Sequence, residues 1–344
     1  RDDKGRPGLL GLNCSHRLTS LAYGRVEDGG IRCPFHGWLY DIQGKCLEQP
    51  AEPNSNDKDK VRHPAYPCQE LGGLIFAYLG PTDQMPLLPR YETLVREDGS
   101  RKVDYYQINS NYLQNVEGAL DTSHASFLHI DNWSKMKHKL AAMPKREIQF
   151  KETDYGIWQT ATSHIQAATK GELIPVYAHF FMPAGFLRIQ ESRLQKGLIQ
   201  KFQSWYVPMD DTHTKRFQAA FSPLMENGKP YEWPPAEAFI QPGPENDYFR
   251  NYEEVDTISG IPLRTSQSAI KGFLCQDNMV NETQGAIIDR TQEHLGALDK
   301  VLTAMRVMVL LAIEDVQKGR DPKHIIRDPH KNEMVTIRGD EEQE

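Results

Sequence analysis

The chain has 344 residues, and with 39% hydrophobic and 25% charged residues its composition is that of a globular protein rather than a disordered or fibrous one. The formal net charge of -7 disfavours a nucleic-acid partner, because phosphate binding rests on clustered lysines and arginines. The longest apolar run, Val307 to Ile313, is far shorter than the roughly 20 residues that cross a bilayer, so we expect no membrane partner.

The cysteine content and the first residues bear on the compartment. Five cysteines are too few for a disulfide-rich scaffold, and their odd number argues against complete pairing, which favours a reducing cytoplasm. The start of the chain lacks the basic and apolar pattern of a signal, so we expect no targeting peptide. A strand-like run into a turn at Asp2 to Gly8 leads us to expect that a further part of the first domain precedes Arg1.

Between residues 8 and 80, short strand-like runs alternate with turn signals, which predicts a small antiparallel β domain. The turn signals are Asp28-Gly29-Gly30, Gln43-Gly44-Lys45 and Gly72-Gly73. Turn formers from Gly80 to Pro89 indicate a boundary, and we divide the chain into domains of residues 1–90 and 91–344.

The second domain combines helical and strand-like patterns, so the fold class expected for the chain is α+β. A helical pattern covers Asn111 to His129. Strand-like runs such as Gly156 to Thr160 and Phe202 to Val207 dominate residues 147–222. A further helix is predicted from Asp289 to Lys318, where a glycine follows it.

Two short loops, Cys14-Ser15-His16 and Cys33-Pro34-Phe35-His36, carry two thiols and two imidazoles. Thiolate and imidazole bind both zinc and iron–sulfur clusters, so the ligand types alone leave a structural zinc site open. The spacing is more specific. A Cys-x-His loop followed by a Cys-x-x-His loop resembles the Rieske [2Fe-2S] signature, in which two cysteines hold one iron and two histidines the other.

A second group of candidate ligands, Glu117, Asp121, His124 and His129, falls within thirteen residues of the helix predicted from Asn111. Asp121 and His124 are three residues apart and so share a helix face, where the carboxylate can orient the imidazole. His124 and His129 are five apart, about 140° around an ideal helix, and can bind one metal only if the helix bends or ends between them. We predict such a distortion, with π-like geometry as one form of it.

Two histidines and one carboxylate form the facial triad of non-heme Fe(II) oxygenases, which leaves coordination positions open for oxygen. Asp277, which we place in a loop, is the predicted third ligand, with Asn278 and Glu282 as alternatives. Asp121 and Glu117 are candidate catalytic residues that do not bind the metal directly.

The combined pattern resembles the catalytic subunit of Rieske ring-hydroxylating oxygenases, in the branch of phthalate and phenoxybenzoate dioxygenases that also contains aromatic O-demethylases. The resemblance assigns Cys14 and Cys33 to one iron of the cluster, and His16 and His36 to the other. It is carried further by the segments Cys46 to Pro53, Gly73 to Pro81, Val207 to Thr214 and Glu282 to Gly296.

This resemblance implies a small antiparallel β Rieske domain, then a helix-grip-like α+β domain with a curved antiparallel sheet, in a head-to-tail homotrimer. It implies a terminal oxygenase that uses O2 at mononuclear Fe(II) to hydroxylate an aromatic compound, by cis-dihydroxylation, angular dioxygenation, monooxygenation or O-demethylation. Electrons would come from NAD(P)H through a separate flavin and iron–sulfur reductase. Asp121 would bridge His124 and His36 of the partner subunit.

The chain departs from its relatives at three positions. Many relatives carry Pro and Gly where this chain has Ser15 and Leu18, and Arg where it has Val176, ahead of Met182-Pro183. The resemblance therefore does not predict that the residue at Val176 binds a carboxylate. Two other function classes stay open. A pure electron carrier would need only the first ligand group, and a zinc-stabilised binding protein would be colourless rather than red-brown.

Overall fold

The computed structural model of the chain describes residues 1–52, 57–129, 148–163, 174–191, 195, 197–234, 241–251, 270 and 272–338, which fall into two compact units. The first unit consists of Arg1–Arg90 and Ile326–Met334. The second consists of the described residues of Tyr91–Ile325 and those that follow Met334. No described helix combines the length and the apolar character needed to cross a membrane.

The first unit is built from short antiparallel strands, as predicted. They are β1 (Leu9–Leu10), β2 (Arg25–Glu27), β3 (Gly30–Arg32), β4 (Leu39–Asp41), β5 (Cys46–Glu48), β6 (Ala65–Tyr66), β7 (Cys68–Leu71) and β8 (Leu74–Ala77). Strands β2 to β5 form one sheet in sequence order, while β1 pairs with β6 and β7 with β8. The small core of this unit contains both candidate cysteine ligands, Cys14 and Cys33.

Two of the predicted turns close two-residue hairpins. Asp28 and Gly29 join β2 to β3 with φ angles of 52° and 78°, and Gly72 and Gly73 join β7 to β8 with φ angles of 60° and 85°. Left-handed backbone at both central residues suits the right-handed twist of the flanking strands. The turn predictions at these two positions are therefore confirmed.

The second unit contains a seven-stranded antiparallel sheet. Its strands are β10 (Gly99–Ile108), β11 (Ile148–Thr153), β12 (Gly156–Ser163), β13 (Ile174–Phe181), β14 (Gly185–Glu191), β15 (Ile199–Pro208) and β16 (Thr214–Pro223). Their order is β10-β16-β15-β14-β13-β12-β11. Two short strands, β9 (Arg90–Tyr91) and β17 (Met334–Val335), pair separately. The predicted α+β class and the strand-like runs in β12 and β15 are confirmed.

The described α-helices are α1 (Glu92–Val95), α2 (Tyr112–Leu120), α3 (Ala125–Leu128), α4 (Phe273–Thr283) and α5 (Lys300–Gln317). Short 3₁₀ turns lie at Leu21–Tyr23, Asp57–Lys60, Thr82–Gln84, Pro244–Phe249, Arg290–Gln292, Ala297–Asp299 and Pro329–Lys331.

The last helix was predicted to begin too early. It starts at Lys300 rather than Asp289, because the side chain of Asp289 accepts the N–H of Thr291 and closes a separate turn. Leu295 and Leu298, which lie in the predicted range, are exposed rather than packed on a core. The predicted end is confirmed, since Gly319 follows with a φ of 69° and donates its N–H to Val316 O.

The main core of the second unit lies between one face of the seven-stranded sheet, here called the inner face, and helices α2 and α5. Its members are Ile108, Val116, Leu120, Ile157, Ala178, Phe180, Phe186, Tyr206, Val301, Leu302, Met305, Met308 and Val309. Gln159 donates from Nε2 to Leu120 O at 2.6 Å and satisfies a carbonyl at the end of α2. Helix α2 is thus held on the sheet up to the point where the candidate ligands begin.

Candidate metal centres

The two loops of the first ligand group share one backbone hydrogen-bond pattern. Cys14 and Cys33 each donate their N–H to the carbonyl five residues later and accept an N–H from the residue four later, over 2.8 to 3.1 Å. The residues four later are Leu18 and Gly37, with φ angles of 60° and 74°. Both loops therefore close on a residue in the left-handed conformation. At Leu18 this conformation is sterically unfavourable, because the Cβ crowds the following carbonyl oxygen.

The burial and the hydrogen bonding of the candidate ligands in these loops suit a [2Fe-2S] cluster. Cys14 and Cys33 are buried at 1% and 3% exposure, whereas His16 is exposed and His36 half-buried. Nδ1 of His36 is buried and has no hydrogen-bond partner among the described residues, as expected of an atom reserved for a metal. Burial and the charges of His16 and Arg17 lower the pKa of His36, which favours the neutral imidazole that binds metals.

Two contacts fix the environment of the first loop. The hydroxyl of Tyr40 lies 3.2 Å from Cys14 Sγ, and burial and the neighbouring thiols raise the pKa of Tyr40, so the phenol stays protonated. Nε2 of His63 lies 2.8 Å from Gly11 O and must donate to it, so Nδ1 accepts the Ser15 hydroxyl at 2.8 Å. The serine found here in place of a proline thus ties the loop to His63.

In the second unit, the helix predicted from Asn111 to His129 is interrupted. Helix α2 ends at Leu120, and Asp121 takes an extended conformation with φ of -70° and ψ of 95°. Its Oδ1 accepts the N–H of Ser123 at 2.7 Å and the hydroxyl at 2.5 Å. The predicted helix-face pairing of Asp121 with His124 is therefore wrong, and among the described residues no hydrogen bond joins the two.

His124 and His129 bracket the single turn of α3, the first preceding it and the second following it. The predicted helix end between them is confirmed, and the turn is an α-turn rather than a π-turn. The imidazole centroids lie 5.3 Å apart with planes at 81°. This geometry lets both rings point to one centre, which a continuous helix forbids.

Asp277 joins these two imidazoles. Its Oδ1 lies 3.0 Å from His129 Nε2 and 3.7 Å from His124 Nε2. One ligand atom from each residue lies within 4.8 Å of the others, and no other described group of three or more His, Cys, Asp or Glu converges in this way. Burial acts to raise the pKa of Asp277, but the imidazoles and Arg216 lower it, so the group is a carboxylate. Two imidazoles and one carboxylate are a donor set that suits non-heme Fe(II).

The position of Asp277 depends on how α4 packs against α2. Gln114 donates from Nε2 to Asn281 O at 2.9 Å and to Gly285 O at 2.8 Å. At Gly118 a Cβ would lie 2.6 Å from Asn281 Oδ1, so the side chain of Asn281 would have to shift to admit a larger residue. Asp277 lies within helix α4, and the loop predicted for it is wrong.

The alternative ligands have other surroundings. Glu282 accepts the N–H of Asn109 at 2.8 Å and the hydroxyl of Tyr248 at 3.1 Å, so both its oxygens already have hydrogen-bond partners. The prediction of Glu282 as an alternative metal ligand is therefore wrong. Asn278 is buried and its amide makes no hydrogen bond among the described residues. The neighbouring Asp277 already completes the group with a charged oxygen.

Comparison with known proteins identifies the family. Residues 1–67 match the family model of the Rieske [2Fe-2S] domain. The chain is 33% identical over 346 residues to the 5,5'-dehydrodivanillate O-demethylase oxygenase subunit of Sphingobium sp., across 98% of this chain and 74% of that relative. The chain belongs to the Rieske oxygenases. It is also 31% identical over 340 residues to the 3-chlorobenzoate-3,4-dioxygenase oxygenase subunit of Comamonas testosteroni, across 91% of this chain and 76% of the relative.

The fold agrees with this membership. NdmA of Pseudomonas putida CBB5 superposes with a TM-score of 0.64 at 17% identity, across 93% of this chain and 84% of that one. As a Rieske oxygenase, the chain is the terminal oxygenase component, an oxidoreductase. Its cofactors are a Rieske [2Fe-2S] cluster and mononuclear iron.

The catalytic role predicted for Glu117 of this Rieske oxygenase needs correction. Its Oε2 accepts from Arg290 at 2.8 Å and its Oε1 from Arg306 at 2.6 Å, while Arg306 also binds Glu293. The carboxylate is buried and both its oxygens are engaged, and it is not part of the group formed by the two histidines and Asp277. Glu117 therefore holds α2 in place rather than taking part in chemistry.

Two polar residues beside the second centre were not predicted from the sequence. Gln276 Oε1 lies 2.7 Å from His129 Nδ1, and Arg216 contributes its charge to the site of Asp277. Gln276 precedes a predicted ligand in the chain, which is a weak signal. Arg216 lies in a strand and carries no local signal at all.

Proposed function

We propose that this Rieske oxygenase oxygenates an aromatic substrate at iron held by His124, His129 and Asp277. The observation that supports this site is the convergence of their ligand atoms within 4.8 Å. When bound there, Fe(II) supplies the activation of O2 with electrons relayed from the Rieske cluster. Such a donor set would hold the iron and leave further coordination positions open to oxygen.

For the Rieske cluster, we propose Cys14 and Cys33 as ligands of one iron and His16 and His36 as ligands of the other. The buried thiols and the orphan Nδ1 of His36 support this assignment. The hydroxyl of Tyr40 donates to Cys14 Sγ and so stabilises negative charge on the sulfur. This contact favours the reduced form of the cluster.

Hydroxylation of the ring, by cis-dihydroxylation or angular dioxygenation, is the first candidate reaction. O-demethylation is the second, and it is favoured by the relative from Sphingobium sp., which is named an O-demethylase oxygenase subunit and is 33% identical. Both reactions use the same ligand set. They differ in whether the carbon placed nearest the metal belongs to the ring or to a methoxy group.

The partners proposed are a separate flavin and iron–sulfur reductase, which passes electrons from NAD(P)H, and two further copies of this chain in a head-to-tail trimer. We propose that in this assembly Asp121 links the two metal centres through His36 of the partner subunit, although within one subunit no hydrogen bond among the described residues joins it to His124. Oδ2 of Asp121 makes no hydrogen bond among the described residues and is open to such a bridge. All five cysteines are unpaired, which favours the reducing cytoplasm as the compartment.

The test uses the full chain loaded with both metals, a reductase system, NADH and ¹⁸O2, with benzoates and methoxybenzoates as substrates. We expect labelled diol or released formaldehyde from the unmutated protein and none from His124→Ala or Asp277→Ala, while the Rieske spectrum persists. His294→Ala, which removes an exposed histidine, is the control and should keep full activity. Substantial product from either ligand variant would exclude this iron site.

A further inference from the structure

Ser15 separates two proposed ligands of the cluster, Cys14 and His16, in the first of the two ligand loops. The two loops close with the same pair of backbone hydrogen bonds, so Ser15 occupies the position that Pro34 occupies in the second loop. The ring of a proline fixes φ at about -65° and removes the N–H donor. Ser15 has no such ring, and its N–H makes no hydrogen bond in the part of the chain that the structure describes. The first loop therefore lacks a covalent constraint that the second loop has.

A hydrogen bond to a buried histidine constrains the first loop instead. The hydroxyl of Ser15 donates to His63 Nδ1 at 2.8 Å, and His63 is only 3% exposed. His63 is anchored outside the loop, since its N–H donates to Gly44 O and its Nε2 to Gly11 O, each at 2.8 Å. Its ring also packs on that of Tyr40, with centroids 4.6 Å apart. Ser15 is thus tied to a side chain whose position is fixed by residues on either side of the loop.

Two other features of the first loop make this tie important. Leu18 closes the loop in the left-handed conformation with a φ of 60°, where the second loop has Gly37. His16 is exposed, and its ring stacks on that of Trp38 with centroids 4.5 Å apart. A strained closing residue and an exposed ligand both favour local opening of the loop. An open loop cannot hold two ligands on one cluster.

We propose that Ser15 and His63 are positioning residues that replace the proline constraint in the first loop, hold Cys14 and His16 in place for the cluster, and so set how long the cluster is retained. This inference rests on the proposed assignment of the cluster ligands. Ser15 and His63 act through the ligands, and neither binds iron. Loss of their hydrogen bond should raise the population of the open loop by about 2- to 10-fold, the factor that one neutral hydrogen bond supplies.

The experiment follows the Rieske absorption of the full chain carrying both metals after a chelator is added. We expect Ser15→Ala to lose the cluster about 2- to 10-fold faster than the unmutated protein. Ser15→Pro should restore slow loss, because a proline ring constrains the backbone without the hydroxyl, as Pro34 does in the second loop. Ser20→Ala is the matched control. The hydroxyl of Ser20 accepts the N–H of Ala22 outside the loop, and its removal should leave the rate unchanged.

Variants of His63 test whether this residue acts through Ser15. His63→Phe keeps an aromatic ring beside Tyr40 but cannot accept the hydroxyl, and it should also lose the cluster faster. In the His63→Phe background, Ser15→Ala should add no further loss, because the hydrogen bond is already absent. If His63→Phe does not fold, the comparison of Ser15→Ala with Ser15→Pro decides alone, since a proline repairs a backbone constraint and not a packing defect.

The paramagnetic signal of the reduced cluster is a readout that a change in overall stability does not move. It should broaden in Ser15→Ala, because His16 then takes a wider range of positions on its iron. It should narrow again in Ser15→Pro. A width that is the same in Ser15→Ala and the unmutated protein would assign faster cluster loss to general stability and overturn the positioning role.

The outcomes separate this inference from the assignment of the cluster ligands. An unmutated protein without a Rieske signal overturns both. A Rieske signal together with equal rates of cluster loss in Ser15→Ala and the unmutated protein overturns only the role of Ser15 and His63. Faster loss in Ser15→Ala that Ser15→Pro does not repair overturns that role as well, because the hydroxyl would then not be replacing a proline constraint.

Discussion

Gln276 Oε1 lies 2.7 Å from His129 Nδ1, and both side chains are buried. Gln276 also donates from Nε2 to Ile270 O at 2.9 Å, which fixes the orientation of its amide. The amide oxygen only accepts, so His129 carries its proton on Nδ1 and leaves the lone pair of Nε2 available to a metal that Asp277 would also bind. Gln276 is thus a positioning residue that selects the tautomer of a proposed metal ligand.

Gln276→Leu should weaken the binding of Fe(II) by about 10- to 100-fold, since His129 loses the partner that orients it. The measurement is competition with a chelator on the full chain, with the Rieske absorption as a check on folding. Gln284→Leu, at the exposed end of the same helix, should bind iron normally. Equal iron affinity in the two variants would contradict the positioning role.

Asp121→Asn should keep the cluster and the iron but slow electron transfer between them by roughly 10- to 100-fold. Asparagine can still accept both hydrogen bonds from Ser123, so the turn after α2 is kept and only the charge is lost. The measurement is single-turnover oxidation of the reduced cluster with O2 and substrate. Ser123→Ala keeps the charge and should transfer electrons at the normal rate. An unchanged rate of electron transfer in Asp121→Asn would show that Asp121 does not link the two metal centres.

Tyr40→Phe should lower the reduction potential of the Rieske cluster, because the hydroxyl 3.2 Å from Cys14 Sγ stabilises the more negative reduced state. One hydrogen bond of about 0.5 to 1.5 kcal/mol corresponds to roughly 20 to 65 mV for a one-electron couple. A redox titration followed by the paramagnetic signal measures it. Tyr23→Phe, at an exposed tyrosine of the same unit, should leave the potential unchanged, and a rise in Tyr40→Phe would refute the contact.

Leu18→Gly should stabilise the first unit by about 0.5 to 1 kcal/mol. The left-handed conformation at φ of 60° costs a leucine about 1 to 2 kcal/mol, while glycine loses about 0.5 to 1 kcal/mol of chain entropy. Because Leu18 is 72% exposed, little packing is lost. Urea unfolding measures the change. Leu12→Gly, at an exposed leucine without positive φ, should lower the free energy of unfolding. A change of the same sign in both variants would contradict the backbone strain inferred at Leu18.

His179 should make the second unit sensitive to acid. Burial lowers its pKa to about 3, with a further contribution from His324, so the folded state binds the proton less readily than the unfolded chain. The stability that neutral His179 contributes is complete above the unfolded pKa near 6.5 and is lost as the pH falls, by about 2 kcal/mol between pH 7 and pH 5.

Urea unfolding of the second unit at these two pH values checks this expectation. His179→Gln should lose less stability on acidification than the unmutated protein, and His294→Gln, at an exposed histidine, should lose as much. A pH dependence that is the same in His179→Gln and the unmutated protein would exclude His179 as the cause.

The sequence by itself was sufficient for features built from local contacts. The loops around Cys14 and Cys33 close on hydrogen bonds that span four and five residues. Because these contacts are local, the spacing of the candidate ligands could be recognised in the sequence. The hairpin at Gly72-Gly73 depends on the backbone freedom of two adjacent glycines. The end of a helix between His124 and His129 followed from helix geometry alone.

Only the tertiary structure decided which distant groups meet at the iron site. His129 and Gln276 are 147 residues apart, and they meet because α4 packs against α2 through Gln114 and Gly118. Arg216 reaches the inner face of the sheet through strand register, which no local pattern encodes. Helix periodicity misplaced Asp121, because the turn it makes with Ser123 competes with the helix and ends it.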